Sequence, residues 1–568
     1  MAKSTRLSHK GASGLANVVG SRYPVPQRLY DVYPWASSSP GKLPLTRKDT
    51  AMTHPGRLLN RWQQLPETEI RVLQAEKLRH YLREVVIPYS PHYRKMFHEH
   101  GLTAESIRTL DDLQLLPFTN KSDLIPSPEH PDRFREFIIA PDRETLAHRP
   151  ATILRAVLHG RKTVERELSA EFRPVSMYFT TGRAADPLPF LLTQHDMDNL
   201  TSAGRRLLEI CGARLDFRIL NAFPFAPHLA FWFTHQAAIA YGVLAVSSGG
   251  GKVMGTEGNL RLIRKLNPDA VAGVPTFIYH LLQQAVEERV RCENLKRIVL
   301  GGEKTSDGLR RKLLELAGEL GARNVDVLAT YGFTEAKLAW AECPFPADQS
   351  PSGYHLYPDL GIIEIVDPKT GAPVPNGQPG EIVFTPLEAR GSVVLRYRTG
   401  DCTDGGLTYE PCPHCGRMLP RLVGKISRAS EIREMNLDKL KGTLVDFNQL
   451  EHVLDDAPHI GAWQLELRKV ADDPFNPDSI VLHVQKTDAT TDQQVTRELR
   501  ERFYSQTEIH PNQILFHTVA EMRQLQGVGQ LIKEQKIVDH RPRVNDSAAR
   551  VPTPPPVTGS KPDLEIRS

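Results

Sequence analysis

Two short segments each contain an acidic residue a few positions after an aromatic residue and a glycine. The first is YGFTEA, which begins at Tyr331 and contains Glu335. Such a segment can be a strand, a turn and the first turn of a helix, where the acid only interacts favourably with the helix dipole. It can also present a carboxylate to a metal ion bound by phosphate. The second segment, YRTGD, ends at Asp401, and a Gly-Asp pair on its own also forms ordinary turns.

Cysteine usage indicates metal binding more than disulfide bonding. Six cysteines in a chain of 568 residues do not form the dense framework of a small secreted domain. Cys412 and Cys415 have the Cys-x-x-Cys spacing of a metal knuckle. One such pair supplies only half of a tetrahedral site, so two further ligands must come from elsewhere.

The overall composition excludes several functional classes. The net charge is +4, which gives no support for nucleic acid as a partner. No apolar run approaches the ~20 residues that cross a bilayer, and we expect no membrane insertion. The N-terminal segment lacks the continuous apolar region of a secretory signal. We therefore expect a cytoplasmic enzyme or binding protein with two or more domains.

The chain divides into segments of different pattern. Residues 1–65 predict a flexible extension, and the apolar spacing from Ile70 to Val86 predicts a helix that Pro88 interrupts. From about residue 175 to 400, strand-like runs alternate with amphipathic helices, which predicts a largely parallel α/β sheet. The stretch from Gly361 to Leu387 is β-rich. A second strand-helix series predicts a small α+β domain, and residues 542–568 predict a disordered, Pro-rich tail.

Several separated motifs in one order resemble the adenylate-forming ligases, in the branch that includes phenylacetate–coenzyme A ligase. The motifs are LPFTNKSDL, VLGGEK, YGFTEA, YRTGD and CPHCGRMLPRLVGKISRASEI, and the resemblance covers about residues 66 to 541. It implies a large N-terminal α/β adenylation domain at 66–428, with parallel-rich sheets and a β-rich subdomain. A mobile C-terminal α+β domain would occupy 429–541, with the hinge near Arg428.

The resemblance implies a two-step reaction that uses ATP, Mg²⁺ and coenzyme A. A carboxylic acid would form an acyl-adenylate, which a thiol would then attack. In the catalytic roles, Thr334 and Glu335 would contact phosphates and Mg²⁺, Arg428 would reach ribose or phosphate, and Lys533 would bridge the carboxylate and the α-phosphate. Lys536 is an alternative to Lys533, because Ile532 replaces the glycine that usually precedes this lysine.

The resemblance also assigns the nucleotide, acyl and metal sites. Asp401 would bind the ribose hydroxyls, and the phosphate loop departs from the usual pattern because its run YFTTGRAADP has no Gly-Lys. Structural Zn²⁺ would be held by Cys343, His355, Cys412 and Cys415, with Cys402 and His414 as possible substitutes. The nucleotide would also contact Thr180, Thr181, Gly182, Arg183, Gly302, Glu303, Lys304, Tyr331 and Gly332. The acyl pocket would include Phe225, His228, Ser248 and Gly249.

The aromatic residues around Phe225 favour an aryl or arylalkyl acid, although aromatic residues at helical spacing are also typical of a plain core. Two alternatives stay open. The adenylate could be attacked by an amine or a carrier-protein thiol instead of coenzyme A. The chain could also be a diverged, non-catalytic nucleotide-binding member, because its phosphate loop is atypical. A homodimer is compatible with either interpretation.

Overall fold

The computed structural model describes residues 62–541, except for 129, 143–145, 148, 181–186, 429–431, 438–439, 471–475, 508 and 532–533. Most of the predicted N-terminal extension and the whole predicted tail therefore lie outside the described residues. Within the extension, Trp62 is buried in the main core, and the Met418 amide donates to the Gln63 carbonyl at 3.0 Å. The predicted domain boundary at 428 and 429 adjoins an undescribed stretch and stays a prediction.

Helices occur along the whole of the described chain. In chain order, the main ones are α1 Glu67–Tyr81, α2 Pro91–Glu99, α3 Pro150–His159, α4 Arg161–Phe172, α5 Gln194–Ile210, α6 Leu229–Tyr241, α7 Gly250–Leu266, α8 Pro275–Glu287, α9 Asp307–Glu319, α10 Phe447–Asp455, α11 Asp492–Thr507 and α12 Val519–Gln526. Short 3₁₀ turns cover Ala104–Ser106, Leu110–Leu115, Lys121–Leu124, Arg133–Phe137 and Thr334–Ala336.

The strands of the described residues form five sheets. They are β1 Pro174–Phe179, β2 Pro189–Thr193, β3 Arg218–Asn221, β4 Leu244–Ser247, β5 Ala270–Gly273, β6 Arg297–Leu300, β7 Asp326–Phe333, β8 Leu338–Ala341, β9 Tyr354–His355, β10 Gly361–Val366, β11 Gly380–Pro386, β12 Tyr397–Thr403, β13 Leu407–Thr408, β14 Arg421–Leu422, β15 Ile426–Arg428, β16 Ile432–Leu437, β17 Leu440–Asp446, β18 Ile460–Lys469, β19 Asp478–Lys486, β20 Gln513–His517 and β21 Ile537–Asp539.

The first helix continues past its predicted end. After α1, a π-helical turn spans Leu82–Val86, and a last helical turn spans Ile87–Tyr89. Pro88 therefore lies inside this last turn instead of interrupting the helix. Ser90 then has extended backbone angles, and its hydroxyl accepts a hydrogen bond from the Tyr93 amide to begin α2.

The largest sheet confirms the predicted α/β architecture. Its order is β13-β14-β9-β8-β7-β6-β5-β3-β4, and the five strands from β7 to β4 are parallel. Helices α6 to α9 lie between these strands in the chain, as the alternating pattern predicts. The loops after β3, β4 and β6 therefore lie at the carboxyl edge of one sheet, which is where α/β proteins bind ligands.

The segment around Glu335 forms a hairpin, so the interpretation of Glu335 as the start of a helix is wrong. A single 3₁₀ turn, Thr334–Ala336, connects β7 to the antiparallel strand β8. Lys337 ends the turn in the left-handed conformation with φ of 59°. A Cβ on Gly332 would lie 2.7 Å from that of Ala339, so the glycine allows the close pairing of the two strands.

An antiparallel sheet carries the second acidic motif. Its order is β10-β11-β12-β15, and the β10–β11 hairpin agrees with the predicted β-rich stretch. Asp401 on β12 pairs directly with Arg428 on β15. The TGD motif is therefore part of a strand rather than an isolated turn.

The C-terminal region has a sheet and a core of its own. Strands β20-β19-β18-β21 form a mixed sheet, in which β18 and β19 are antiparallel and the outer two pairings are parallel. Its core includes Phe447, Trp463 and Phe503, separate from the core of the large sheet. None of the helices in the described ranges is long and apolar enough to cross a membrane.

Candidate functional site

Asp401 is the centre of a small polar cluster, which we call the Asp401 cluster and which consists of Tyr331, Asp401 and Arg428. The Tyr331 hydroxyl donates to Asp401 Oδ2 at 3.1 Å, and Arg428 Nε donates to Oδ1 at 2.9 Å. Asp401 is only 7% exposed. Each carboxylate oxygen can accept more than one hydrogen bond, so the group is held in place while retaining capacity for a ligand.

Tyr331 enters this cluster from β7 as a neutral donor. Burial raises the pKa of its hydroxyl well above the ordinary value, and the nearby Asp401 charge raises it further. The ring lies against Trp340 with centroids 6.0 Å apart and an interplanar angle of 22°. The same contacts that bury the ring therefore fix the hydroxyl towards Asp401.

Glu335 lies in a second, partly buried position nearby. The Tyr397 hydroxyl donates to its Oε1 at 2.7 Å. Burial raises the pKa of the Glu335 carboxyl, while the Tyr397 hydrogen bond and the positive charges of Lys121 and Arg428 partly oppose that rise. The adjacent Thr334 hydroxyl donates to the Phe179 carbonyl at 3.4 Å. A partly buried carboxyl with positive neighbours has the character of a cation ligand or of a phosphate-side group.

Lys121 and Tyr397 were not assigned a role from the sequence, although both lie in the motifs LPFTNKSDL and YRTGD. Thr119, two residues before Lys121, pairs with the start of β12: its amide donates to the Arg396 carbonyl at 3.1 Å, and its carbonyl accepts from the Arg398 amide at 3.0 Å. This pairing brings the LPFTNKSDL segment beside Glu335. Both motifs were visible in the sequence, but only the pairing of Thr119 with β12 shows that Lys121 lies near Glu335.

The loop after β6 contains the three residues predicted to line the adenine. Gly302 has φ of 84°, a conformation that favours glycine. Glu303 accepts from the amide and hydroxyl of Thr276 at 3.2 and 2.8 Å, which ties the loop to the start of α8. Lys304 forms an ion pair with Glu451 at 2.7 Å and also donates to Asn448. The lysine thus reaches the C-terminal region.

Of the predicted phosphate loop, only Thr180 lies in the described residues; Thr181, Gly182 and Arg183 lie outside them. Thr180 is buried, and its amide donates to the Leu188 carbonyl at 3.0 Å. Its hydroxyl accepts from the Leu188 amide at 3.0 Å. Thr180 therefore closes the base of this loop beside β2.

The predicted acyl residues surround the loop after β4. His228 Nδ1 lies 2.9 Å from the Phe179 carbonyl, which also accepts from Thr334. Gly249 has φ of 76°, and a Cβ there would lie 3.0 Å from that of Phe225. Ser248 is buried, whereas Phe225 is 54% exposed. The Phe225 ring meets two further aromatic rings edge-on, at 5.2 Å from Phe231 and 5.7 Å from Trp232.

The two candidate lysines of the C-terminal region differ in what the structure shows. Lys533 lies outside the described residues. Lys536 is tightly bound: its ammonium lies 3.0 and 3.2 Å from the two carboxylate oxygens of Asp455, and 4.9 Å from the centre of the Trp463 ring. Burial lowers the pKa of Lys536, but the charges of Asp455 and Glu451 and the hydrogen bond to Asp455 together outweigh it, and the pKa is raised overall.

Cys343, His355, Cys412 and Cys415 form a second cluster, which we call the Cys343 cluster. The hairpin strand β8, the short strand β9 and the loop before β14 bring these four residues together, and their ligand atoms all lie within 4.8 Å of one another. The Cys343 and Cys412 sulfurs are 3.6 Å apart, and Cys415 Sγ is 3.3 Å from His355 Nε2. A disulfide would need about 2 Å between sulfurs, so these are free thiols.

These distances fit a tetrahedral zinc ion. With Zn–S bonds of about 2.3 Å, two sulfur ligands of one tetrahedral ion lie about 3.8 Å apart. His355 Nδ1 faces the Ala341 carbonyl at 3.4 Å, which directs Nε2 towards the sulfurs. The alternatives Cys402 and His414 are not part of this group: Cys402 lies on β12, and His414 Nε2 lies 3.0 Å from the Ser350 carbonyl.

Comparison with known proteins shows which family this chain resembles. The AMP-binding enzyme family matches residues 150–387, which include β1 to β11 and the Glu335 turn. Phenylacetate-coenzyme A ligase of Thermus thermophilus is 28% identical over 400 residues, covering 70% of this chain and 77% of that protein. The chain is thus similar to AMP-binding enzymes over residues 150–387 and to a phenylacetate-coenzyme A ligase over 70% of its length. The predicted resemblance to the branch with phenylacetate–coenzyme A ligase is thereby confirmed.

Two further comparisons give the same similarity. Phenylacetate-coenzyme A ligase of Escherichia coli is 25% identical over 410 residues, which cover 71% of this chain and 80% of the relative. The structure of 2-hydroxyisobutyryl-CoA ligase in the postadenylation state, in complex with R3-HIB-AMP, superposes with a TM-score of 0.65. It covers 85% of this chain and 92% of the other at 19% identity, and it shows a shared fold.

Proposed function

We propose that this adenylate-forming enzyme activates a carboxylic acid with ATP and transfers the acyl group to the thiol of coenzyme A. In the first step, a carboxylate oxygen attacks the α-phosphorus, and the bond to the bridging oxygen breaks to release pyrophosphate. In the second step, the thiol sulfur attacks the acyl carbon, and AMP leaves. The four relatives named phenylacetate-coenzyme A ligase support this choice of reaction and acceptor.

The Asp401 cluster is the observation that carries the proposal. A ribose presents two adjacent hydroxyls, and a fixed, buried carboxylate can accept hydrogen bonds from both. Arg428 and Tyr331 hold that carboxylate from two different sheets, so it is positioned before a ligand arrives. The loop with Gly302, next to β7 in the large sheet, would then lie against the base.

The reaction joins two anions, and the residues around Glu335 suit that problem. A magnesium ion would neutralise phosphate charge, and Glu335 would be its protein ligand because Mg²⁺ usually takes one or two carboxylates and the phosphates. Thr334, beside it, would donate its hydroxyl to a phosphate oxygen. The atypical phosphate loop has Arg183 but no Gly-Lys, so Arg428 and Lys121 would contribute further positive charge.

The C-terminal region would supply Lys533, which would bridge the two reacting anions. We propose that residues 66–428 form the adenylation domain and 429–541 the mobile one, with the hinge near Arg428. The separate core around Phe447 and Trp463 supports this division. Rotation of the smaller domain would withdraw Lys533 and open a path for the thiol.

The Cys343 cluster would hold a structural Zn²⁺. Four protein ligands close the coordination shell, so the site would pin strands β8 and β9 to the loop before β14 and would not bind substrate. For the acid, the partly exposed Phe225 with Phe231 and Trp232 supports an aryl or arylalkyl side chain. We place the reaction in the cytoplasm, where ATP and coenzyme A are present.

The test is ATP–pyrophosphate exchange with the full chain and a panel of aryl, arylacetic, fatty and amino acids. We expect exchange that depends on Mg²⁺ and on an aromatic acid. Product analysis with coenzyme A, amines and carrier proteins then identifies the acceptor. Exchange with none of the acids would contradict the proposal and favour a non-catalytic nucleotide-binding protein.

A further inference from the structure

The loop after β6 and the C-terminal region share an interface centred on Asp455. Helices α9 and α10 approach so closely that a Cβ on Gly308 would collide with the Asp455 carbonyl group. Asp455 is the last residue of α10, and its side chain is buried. The backbones of the two regions are therefore in direct contact at this point.

The Asp455 carboxylate joins the two regions. The Ser306 hydroxyl, from the large region, donates to its Oδ2 at 2.6 Å. The Trp463 indole N–H donates to Oδ1 at 2.7 Å, and Lys536 contacts both oxygens. Burial alone would raise the pKa of Asp455, but the Lys536 charge and the Ser306 hydrogen bond hold it below the ordinary value. The carboxylate is therefore ionised when these contacts are formed.

Ser306 is itself fixed by the loop after β6. Its hydroxyl also accepts from the Leu309 amide at 3.2 Å, which caps the start of α9. Two residues earlier, Lys304 binds Asn448 and Glu451 of α10. Asn448 in turn exchanges hydrogen bonds with the backbone of Arg428 at 3.3 Å. The loop predicted to bind adenine is thus bonded to the same helix that ends at Asp455.

On the other side, Asp455 fixes Lys536 in the C-terminal region. Lys536 follows Lys533 by three residues, which span at most about 10 Å of extended chain. Upstream, Gly529 packs on the start of α7, next to the loop after β4: a Cβ on Gly251 would lie 3.1 Å from Gly529 Cα. Gly529 therefore packs directly on the large region, whereas Lys536 is connected to it through Asp455 and Ser306.

We propose that Asp455 is a positioning residue for acyl-adenylate formation. Its carboxylate holds Ser306 and Lys536 together, and this contact docks the C-terminal region onto the nucleotide loop. In the proposed reaction the smaller domain rotates between the two half-reactions, so this contact would support only the first. The inference rests on the proposed function, since it assigns Asp455 to one of the two half-reactions.

The test compares Asp455→Asn with Asp456→Asn in the full chain. Asparagine at 455 keeps the shape and the acceptor oxygen but removes the charge that binds Lys536. Asp456 is the neighbouring residue, and its ion pair with Arg311 at 3.0 Å is exposed at the edge of the same interface. We measure ATP–pyrophosphate exchange and, separately, thioester formation from supplied phenylacetyl-adenylate and coenzyme A.

We expect Asp455→Asn to reduce exchange by about 10- to 100-fold, the usual effect of losing a hydrogen bond to a charged group. Thioester formation should stay within about 3-fold of wild type, and Asp456→Asn should leave both reactions unchanged. Ser306→Ala, which removes only the contact between regions, should reduce exchange in the same selective way. Its control is Thr518→Ala, which removes the similar cap of α12.

Equal loss of both half-reactions in Asp455→Asn would overturn the proposal, because it would show a merely structural role. Hydrogen exchange of the α9 and α10 amides provides a readout that needs no turnover. Asp455→Asn should increase exchange in both helices, and unchanged protection would also overturn the proposal. If the wild-type protein activates no acid, the proposed function fails, and hydrogen exchange alone still decides whether Asp455 joins the regions.

Discussion

The Asp401 cluster and the Cys343 cluster are both buried polar groups, but they differ in whether their side chains already have hydrogen-bond or ion-pair partners. In the Asp401 cluster, a negative carboxylate already has a tyrosine and an arginine as partners. In the Cys343 cluster, three sulfurs and one imidazole nitrogen face one another, all within 4.8 Å. The first group is stable without a ligand, whereas the second is arranged around a common centre.

This difference predicts different consequences of mutation. A group whose polar atoms already have partners can be mutated with little loss of stability, but its ligand then loses a prearranged partner. Donor atoms that converge without a cation repel one another, so an ion there contributes to folding. We therefore expect variants near Asp401 to reduce activity and variants of the Cys343 cluster to reduce stability.

The largest effect should come from Lys533→Ala. The lysine charge would bridge two anions in the first half-reaction, and losing such a contact typically costs about 10²- to 10³-fold. We expect ATP–pyrophosphate exchange to fall by that amount while thioester formation from supplied acyl-adenylate is spared. Lys536→Ala, which removes the charged partner of Asp455, should give only the smaller, equally selective loss expected for Asp455→Asn. Loss of both half-reactions in Lys533→Ala would count against its assigned role.

A somewhat smaller effect is expected for Asp401→Asn. The amide keeps the shape and one acceptor oxygen, but it loses the charge that orients Arg428 and one acceptor for a ribose hydroxyl. We expect the exchange rate at low ATP to fall about 10- to 100-fold, with most of the change in the apparent affinity for ATP. The melting temperature should change by less than about 2 °C. A large drop in melting temperature would remove the contrast between the two clusters.

For the Cys343 cluster, we expect the reverse pattern. Cys412→Ser, or treatment with a zinc chelator, should lower the melting temperature by about 5 °C or more, since a closed structural ion contributes several kcal/mol to folding. Exchange activity measured well below that temperature should change by less than about 3-fold. Metal analysis of the purified protein should give one zinc per chain. Cys402→Ser is the control, because Cys402 lies outside the cluster.

The sequence was informative where chemistry lies in short motifs. The alternating strand-helix pattern predicted the parallel sheet, because each strand and helix buries its own apolar face. Tyr331, Asp401 and Arg428 were named from three distant segments, and the structure brings them together. The four proposed zinc ligands were likewise brought together, although their roles stay a prediction.

The sequence was less informative where backbone geometry or tertiary pairing decides. The helix predicted at Glu335 is a hairpin, because the left-handed Lys337 and the close approach of Gly332 to Ala339 reverse the chain. Lys121 reaches Glu335 only because Thr119 pairs with the start of β12, a contact between distant segments. No local periodicity could reveal either feature.

The smallest expected effect is a shift in the pH dependence of Mg²⁺ use. Mg²⁺ binding requires the ionised form of Glu335, and burial raises the pKa of this carboxyl above its ordinary value. As pH falls, the apparent affinity for Mg²⁺ in the exchange assay should therefore decrease at a higher pH than an ordinary glutamate would give. Tyr397→Phe removes a hydrogen bond that favours the ionised form, and it should move the midpoint higher still.

Glu335→Gln should weaken Mg²⁺ use at every pH and abolish this inflection. An inflection that persists in Glu335→Gln would assign the titration to another group.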